Sequence, residues 1–447
     1  MFAKMQKFLI LGLSKSGKSA TEYILSRGGK CYIYDDIKTE RIEQVFNRLE
    51  GLGGIRVDKE KAKEIISEID ALIISPGVPI NHELAVLAKK VGKRILGEFE
   101  LGFSQLSPVT AAVTGTNGKT TTVSMVENVL SMAGVKNALV GNVGKPVCDN
   151  VDKIDNQTVC VAEVSSFQLE SVSAFCPHIA CVLNISPDHL ERHYTMENYV
   201  FLKKRIFKNQ TSSEYAVLNF DDDIVKSFSA EIKSKVIWVS DRERVDGAFV
   251  ENGFINFKDE KVISVNELPL FGIHNRYNAL FTVAICKLLG LSNEQIRYGL
   301  INFKGVKHRL ELVLEKKGVK FFNDSKATNT ASTISAINSI KGGIVLILGG
   351  SEKGENYNNL FAEIKKRGVK HVVLTGASKV NMLSSAVEVG FSDFSVTDGF
   401  ESSIKIAYAF AENGDSVLFS PACASFDKFS SYEERGEAFI KTVGELD

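Results

Sequence analysis

Val109-Thr110-Ala111-Ala112-Val113-Thr114-Gly115-Thr116-Asn117-Gly118-Lys119-Thr120-Thr121 is the stretch that decides how this chain is built. Val109–Val113 fits a buried strand, and a helix is expected from about Thr121. The glycine-bearing turn between them presents backbone N–H groups at a helix start, where the helix dipole and the N–H groups both attract phosphate. Lys119 can neutralise β/γ-phosphates, and the Thr120 hydroxyl can ligate Mg²⁺. The turn departs from the general G-x-x-x-x-G-K-[ST] pattern, because Val113 stands where the first glycine belongs.

A second phosphate-type turn lies near the N-terminus and satisfies that pattern literally: Gly12-Leu13-Ser14-Lys15-Ser16-Gly17-Lys18-Ser19, after an apolar run and before a helix. The same residues nearly fit a dinucleotide fingerprint, with Ser14 where the middle glycine would be. Asp35 and Asp36 then follow at the end of the next strand, where a carboxylate meets a ribose. Two loops compete for one triphosphate, and local pattern alone leaves the assignment open.

Working outward from the two loops, the chain divides into three α/β blocks. In the first, Phe8–Leu11, Cys31–Tyr34 and Ala71–Ile74 read as strands, the last ending in Ser75-Pro76-Gly77, and the block closes near Gly97. The alternation of strands with helix-length segments implies parallel strands joined by right-handed crossovers. The second block adds strands Val159–Val164 and Ala180–Ile185. It also has a hairpin over Phe249–Phe257, turning at Asn252-Gly253, a dipeptide that tolerates the positive φ of a type I′ turn. It ends after a helix from Asn278 to about Leu289. The third block starts near Gly305, with strands Gly343–Leu348, Val372–Thr375 and Val417–Phe419. The expected architecture is three α/β domains in series over 1–97, 98–305 and 306–447: a Rossmann-like N-terminal domain, a central P-loop ATPase-like domain with a small antiparallel addition, and a Rossmann-like C-terminal domain.

The 447 residues carry 54 Lys+Arg against 54 Asp+Glu, so no global basic field recruits nucleic acid or anionic membrane. No apolar run approaches the roughly 18 residues of a membrane span, and the run at Phe8–Leu11 is too short for a signal peptide. The seven cysteines are odd in number and contain no C-x-x-C pair, so reduced thiols in a cytosolic protein are expected. Cys176, His178 and Cys181 raise a zinc question, but Pro177 interrupts them and no second ligand pair follows.

Several further stretches accompany Thr114–Thr121. They are Gly141-Asn142-Val143-Gly144, Glu163-Val164-Ser165-Ser166-Phe167-Gln168-Leu169, Asn184-Ile185-Ser186-Pro187-Asp188-His189-Leu190, and His274-Asn275 with Asn278. His308-Arg309, Asn323-Asp324-Ser325-Lys326-Ala327-Thr328-Asn329 and Ser420-Pro421-Ala422-Cys423-Ala424-Ser425-Phe426-Asp427 complete the series. In this order and across nearly the whole chain they resemble the Mur ligase family, whose ATP loop is shared with folylpolyglutamate synthetases. Within that family the resemblance is to the members that add D-glutamate to UDP-N-acetylmuramoyl-L-alanine through an acyl phosphate, in cytoplasmic peptidoglycan precursor synthesis. The Asp-Asn-Pro-Arg motif of diaminopimelate-adding members is absent.

The resemblance implies a role for each matched position. ATP would meet Gly115, Thr116, Asn117, Gly118, Lys119, Thr120 and Thr121. Asn275 and Asn278 would bond adenine or ribose, and Arg309 the γ-phosphate. Asp324 and Lys326 would meet the ribose and phosphates. Mg²⁺ would take Thr120 and Glu163, and a second ion His189, with a carbamate on Lys203 as a further ligand. Lys119, His189, Lys203 and Arg309 are the implied catalytic set. The UDP substrate would contact Ser14, Lys15, Ser16, Asp36 and Ser75, with Asn142 and His189 near its muramoyl-alanine end. Thr328, Lys353, Ser425 and Tyr432 would grip D-glutamate, whose two carboxylates need a cation and several donors. A monomer is expected.

Each residue also has a plainer reading. His189 fits a packed, hydrogen-bonded histidine, and Lys203 with Lys204 and Arg205 fits a solvated basic helix face. Asn275 and Asn278 fit helix caps, and Asp324 fits a turn residue. His193, four residues after His189, suggests a metal pair that no family position supports. Rival functions are another Mur ligase or a folylpolyglutamate synthetase, a regulatory module using Gly12–Ser19 as a triphosphate switch, and a dinucleotide-dependent oxidoreductase using Gly12 to Asp35.

Overall fold

The computed structural model describes residues 6–270, 272–352 and 356–446. It divides into two compact units, one of residues 1–269 with 275–303, the other of 270–274 with 304–447. Among the described residues no helix is long and apolar enough to cross a membrane.

The first unit contains two sheets. One has five parallel strands in the order Ile55–Arg56, Lys30–Tyr34, Lys7–Leu11, Ala71–Ile74, Arg94–Gly97. Its two central strands, Lys7–Leu11 and Ala71–Ile74, are apolar on both faces because helices cover both. Phe8 and Ile10 pack on one side with Ile33 and Ile73, while Leu9 and Leu11 pack on the other with Leu72 and Ile74. The strand order reverses between Lys7–Leu11 and Ala71–Ile74, so Gly12 and Ser75 flank the switch point at which such sheets bind ligands.

The second sheet has nine strands. Its parallel part runs Gly247–Glu251, Lys235–Ser240, Tyr215–Asn219, Ile179–Val182, Thr110–Thr114, Val159–Glu163, Asn137–Gly141, and the antiparallel strands Phe254–Phe257 and Glu260–Ser264 extend its edge. Asn252 and Gly253 adopt φ of 51° and 77°, as the hairpin reading requires. Thr110–Thr114 is flanked by Val159–Glu163 and Ile179–Val182. The carboxyl ends of these three strands therefore deliver the Gly115–Gly118 loop, Glu163 and the Leu183–His189 loop side by side.

The second unit holds a six-stranded sheet in the order Glu311–Lys316, Val319–Asn323, Ser416–Phe419, Ile344–Leu348, His371–Leu374, Phe394–Val396. All pairings are parallel except the first. Asp324 and Ser420 follow neighbouring strands at their carboxyl ends.

Several boundaries differ from the sequence reading. The strand expected over Ala180–Ile185 stops at Val182, because the chain turns there to bond the phosphate loop. The helix after Gly118 starts at Lys119. The helix expected from Asn278 starts at Ile273, which puts Asn275 and Asn278 inside it and not at a cap. The cysteines are all unpaired. Cys176, His178 and Cys181 do not form a metal site: the His178 ring accepts from the Thr110 N–H, Cys176 faces the Asn209 carbonyl, and Cys181 is buried within its strand.

Candidate active site

The two phosphate-type turns fold differently. After Lys7–Leu11 only Gly12, Leu13 and Ser14 intervene before the helix Lys15–Ser26. Gly17, Lys18 and Ser19 therefore lie in its first turns. A Cβ on Gly17 would stand 1.8 Å from the Gly12 carbonyl oxygen, so glycine here permits close helix–strand packing. The buried Ser19 hydroxyl donates to Asp149. By contrast, Gly115–Gly118 form a full arc between Thr114 and the helix Lys119–Met132, whose N-cap Gly118 is left-handed and contributes no side-chain cap. The first-turn N–H groups of that helix are thereby presented to an anion. The literal G-x-x-x-x-G-K-S match thus enters its helix before its second glycine, whereas the imperfect match keeps its Gly115–Gly118 arc outside the helix.

Two lysine side chains converge on the central loop. Lys119 donates to the Gly115 carbonyl and to the Thr116 carbonyl, both at 2.8 Å, and Lys203 donates to the same Gly115 carbonyl at 2.7 Å. Lys203 is 1% exposed. Burial, then the charge of Lys119, push its amine well below the ordinary lysine range, against the pull of Asp188 and Glu163. Lys204, one residue on, pairs with Glu231 and is far less buried. The solvated-face reading therefore fits Lys204 but not Lys203.

Glu163 is equally buried. One carboxylate oxygen accepts from Asn142 at 2.7 Å and the other has no partner. An unpartnered buried carboxylate oxygen beside a phosphate loop and the buried Thr120 fits a hard divalent cation, which seeks oxygen ligands. Among the described residues no three His, Cys, Asp or Glu side chains cluster as a ready-made metal site. Water and phosphate oxygens would have to complete the shell.

His189 opens the short helix Leu190–His193 in a left-handed conformation, φ 55°. Its ring lies 4.9 Å from Phe167, with Asp188 and Glu191 carboxylates 3.6 and 3.5 Å from its nitrogens. His193 is no partner to it: burial, then the charges of His189, Arg192 and Lys203, hold its imidazole down to about 4, and Ser166 bonds its Nε2. Asn278 bonds Thr122 and Asn275, and its Oδ1 lies 2.5 Å from where a Gly118 Cβ would be. Asn278 thus sits against the phosphate loop, with Asn275 bonded behind it.

Around the first turn, Lys15 reaches the Gly144 carbonyl at 2.7 Å, and Ser75 donates to the Gly12 carbonyl at 2.7 Å. Ser14 is exposed and Ser16 half-buried at the helix start. Asp35 is consumed by the backbone N–H groups of Leu13 and Ile37. Asp36 instead meets the Tyr34 hydroxyl and His82. Burial opposes its charge, yet those two bonds and the nearby Lys59 hold its carboxyl below the ordinary range.

In the second unit, Asp324 accepts from Ser420 Oγ at 2.7 Å and from the Leu310 N–H at 3.0 Å. Burial raises its carboxyl to about 6, although Ser420, the Arg309 charge and Leu310 pull the other way. It is a buried acid, not a solvated turn residue. Lys326 bonds the Tyr432 hydroxyl at 3.1 Å and lies over its ring. Thr328 is half-buried and Ser425 buried. Lys353 lies outside the described residues.

Residues that pattern reading missed hold these loops. Asn184 bonds the Asn117 N–H and carbonyl. Tyr199 meets Thr116 Oγ1 at 3.2 Å and stacks on His193. Arg435 is 2% exposed and donates to Ser325 Oγ and to the carbonyls of Ser325, Cys423 and Ala424. Asn184 stood within a quoted motif; no spacing marks the other two.

Three families match the chain: the Mur ligase MurD-like N-terminal domain over residues 6–97, the Mur ligase middle domain over 113–286, and the glutamate ligase domain of Mur ligases over 308–423. A Clostridioides difficile protein named UDP-N-acetylmuramoylalanine–D-glutamate ligase is 40% identical, covering 100% of both chains. A Caldanaerobacter subterraneus protein of the same name is 38% identical over 100% of both. Among solved structures, the UDP-N-acetylmuramate-alanine ligase MurC of Thermotoga maritima superposes with a TM-score of 0.63 at 17% identity, covering 98% of this chain and 99% of that one. The MurF ligase of the same organism, solved with ADP, gives 0.59 at 19% identity, covering 84% and 96%. Matched end to end by these families and relatives, the chain belongs to the Mur ligase family.

Proposed function

We propose that the chain couples ATP cleavage to amide formation between the L-alanyl carboxylate of UDP-N-acetylmuramoyl-L-alanine and the amine of D-glutamate, acting as a monomer in cytoplasmic peptidoglycan precursor synthesis. The observation that carries this reading is the Gly115 carbonyl shared by the Lys119 and Lys203 side-chain nitrogens, with the unpartnered Glu163 carboxylate among the charges that act on Lys203. The Lys119 cation and an unsatisfied buried carboxylate suit phosphoryl transfer, which asks the protein mainly for positioning and charge. The choice of substrates rests on the full-length relatives and their names.

In this reading the N–H groups of Gly115–Thr121 cradle the ATP phosphates, and Lys119 turns from its two carbonyls to the β/γ-phosphates. Asn275 and Asn278 hold the adenine or ribose, Arg309 follows charge onto the γ-phosphate, and Asp324 and Lys326 meet the ribose and phosphates. The γ-phosphorus bond to ADP breaks as a substrate carboxylate oxygen bonds it. The D-glutamate nitrogen then attacks the acyl carbon, loses a proton, and phosphate leaves with the electron pair. Mg²⁺, held by Thr120, Glu163 and a carbamylated Lys203, with His189 for a second ion, would offset the negative charge on these oxygens. The depressed Lys203 amine favours carbamylation, because carbon dioxide adds to the neutral form.

Ser14, Lys15, Ser16, Asp36 and Ser75 take the uridine diphosphate, while Asn142 and His189 take the muramoyl-alanine end. Thr328, Lys353, Ser425 and Tyr432 take D-glutamate. Residues 1–97, 98–305 and 306–447 form the corresponding domains. The test is phosphate release from ATP and Mg²⁺ with UDP-N-acetylmuramoyl-L-alanine, with and without D-glutamate. Release requiring both, with a product heavier by one glutamyl residue, is expected. Release with neither substrate, or none with both, would refute the assignment.

A further inference from the structure

Arg192 makes contacts that neither phosphate loop explains. Its terminal nitrogens donate to three successive backbone carbonyls, Pro76 at 3.3 Å, Gly77 at 3.3 Å and Val78 at 2.9 Å. The same guanidinium forks onto Glu170, with 2.7 and 3.3 Å contacts, and stands 5.0 Å over the Phe167 ring. Both charged side chains are largely buried, 14% and 9% exposed. The gripped turn follows Ser75 and folds over the first phosphate-type loop, where Val78 Cγ2 lies 2.7 Å from the position a Gly12 Cβ would take. At the other end, Arg192 belongs to the four-residue helix that His189 opens, and Phe167 lies against both His189 and Arg192.

We propose that Arg192 is a positioning residue: it fixes the Pro76–Val78 turn at the uridine diphosphate end to the His189 turn at the reacting end, so that one extended substrate is held in register for phosphoryl transfer. The inference rests on the proposed function for its substrate, but its geometry does not. A planar, always-charged guanidinium serves three carbonyls and a carboxylate together, whereas a lysine ammonium cannot reproduce that fork. Loss of the clamp leaves each subsite intact and lets their separation drift. An error of about 1 Å in placing reacting groups costs on the order of 100-fold in rate.

The experiment compares wild type, R192A and R192K. Amide exchange in the ligand-free chain is expected to accelerate at Gly77, Val78 and Leu190–His193 in R192A and to stay unchanged in the strand Ile344–Leu348. In the ligase assay kcat is expected to fall about 100-fold in both variants, with the KM for ATP unchanged and UDP alone bound as by wild type. Added guanidinium is expected to restore part of the R192A rate and none of the R192K rate. Full kcat in R192K, unchanged exchange at Gly77 and Val78, or parallel losses of ATP binding and melting temperature would overturn the proposal. A wild type that releases no phosphate with both substrates would sink the reaction, and the exchange data would still decide the clamp.

Discussion

Replacing Asp324 with asparagine changes one atom in the second unit and should raise its stability while removing a proposed ATP contact. Burial lifts this carboxyl from 3.8 to about 6 despite bonds from Ser420 and Leu310 and the charge of Arg309. That difference of roughly two pH units corresponds to about 3 kcal/mol against the ionised folded form. Because the folded value is the raised one, the native chain binds more protons than the unfolded chain between the two. Stability is therefore full below about pH 4 and falls as pH rises through 6, then levels off. In D324N the amide oxygen still accepts from Leu310, and Ser420 can direct its proton to Thr333 Oγ1, 3.0 Å away, while accepting from the new amide. Denaturant unfolding followed in the second unit should find wild type and variant within about 1 kcal/mol of each other near pH 4. Near pH 8 the variant should be more stable by up to ~3 kcal/mol, with turnover lost. A stability difference that does not change with pH, or a less stable variant at pH 8, would refute the reasoning.

The remaining predictions concern the first unit. K119M should abolish nucleotide-dependent phosphate release while K18M preserves the KM for ATP; the reverse would make Gly12–Ser19 the triphosphate site. Wild type incubated with ¹³C-bicarbonate should show a carbamate carbon signal that K203R lacks and K204R keeps, and turnover in K203R should drop at least about 100-fold. N142A removes the side-chain partner of one Glu163 oxygen and leaves the carboxylate less firmly oriented, so the Mg²⁺ concentration for half-maximal activity should rise about 10- to 100-fold. An unchanged Mg²⁺ titration would separate Glu163 from the metal.

What was legible in the sequence follows from burial. Ala71–Ile74 reads at its true bounds because a parallel strand buried on both faces is an unbroken apolar run. The two-residue edge strand Ile55–Arg56 is exposed and has no such run. Apolar content also misleads: Leu183 and Ile185 extend the run after Val182, but there the backbone has left the sheet to bond Thr116 and Asn117 from Asn184. The motif at Gly12–Ser19 was letter-perfect and folds otherwise, since a pattern does not record where the strand ends and the helix begins. Lys203 looked like one of three surface cations. Its burial is set by the loop it reaches, 88 positions away. The Arg192 clamp spans 114 to 116 positions, and Arg435 sits after two glutamates in what reads as an exposed helix.

The backbone links these anchors to the chemistry. Eight non-glycine residues with positive φ occur among those described. Asn252, Lys258 and Lys317 sit in turns between antiparallel strands, where such conformations are common. The other five are His189, Tyr194, His308, Leu310 and Ala422, and all lie in the family's motif loops or just after one. A non-glycine residue held there costs about 1–3 kcal/mol and persists only where surrounding contacts over-determine it. Each strained turn has a buried polar anchor: Arg192 beside His189, the Asp324 carboxylate on the Leu310 N–H, and Arg435 on the carbonyls after Ala422. The Pro76–Val78, Leu310 and Cys423–Ala424 contacts are made to main chain, so what they fix is loop shape, independent of the side chains the loops carry. Substitution of a loop side chain should then alter substrate choice and leave the loop in place, while loss of the Arg192 or Arg435 anchor, neither of which is placed in a substrate site, should loosen the loop and leave its side chains intact.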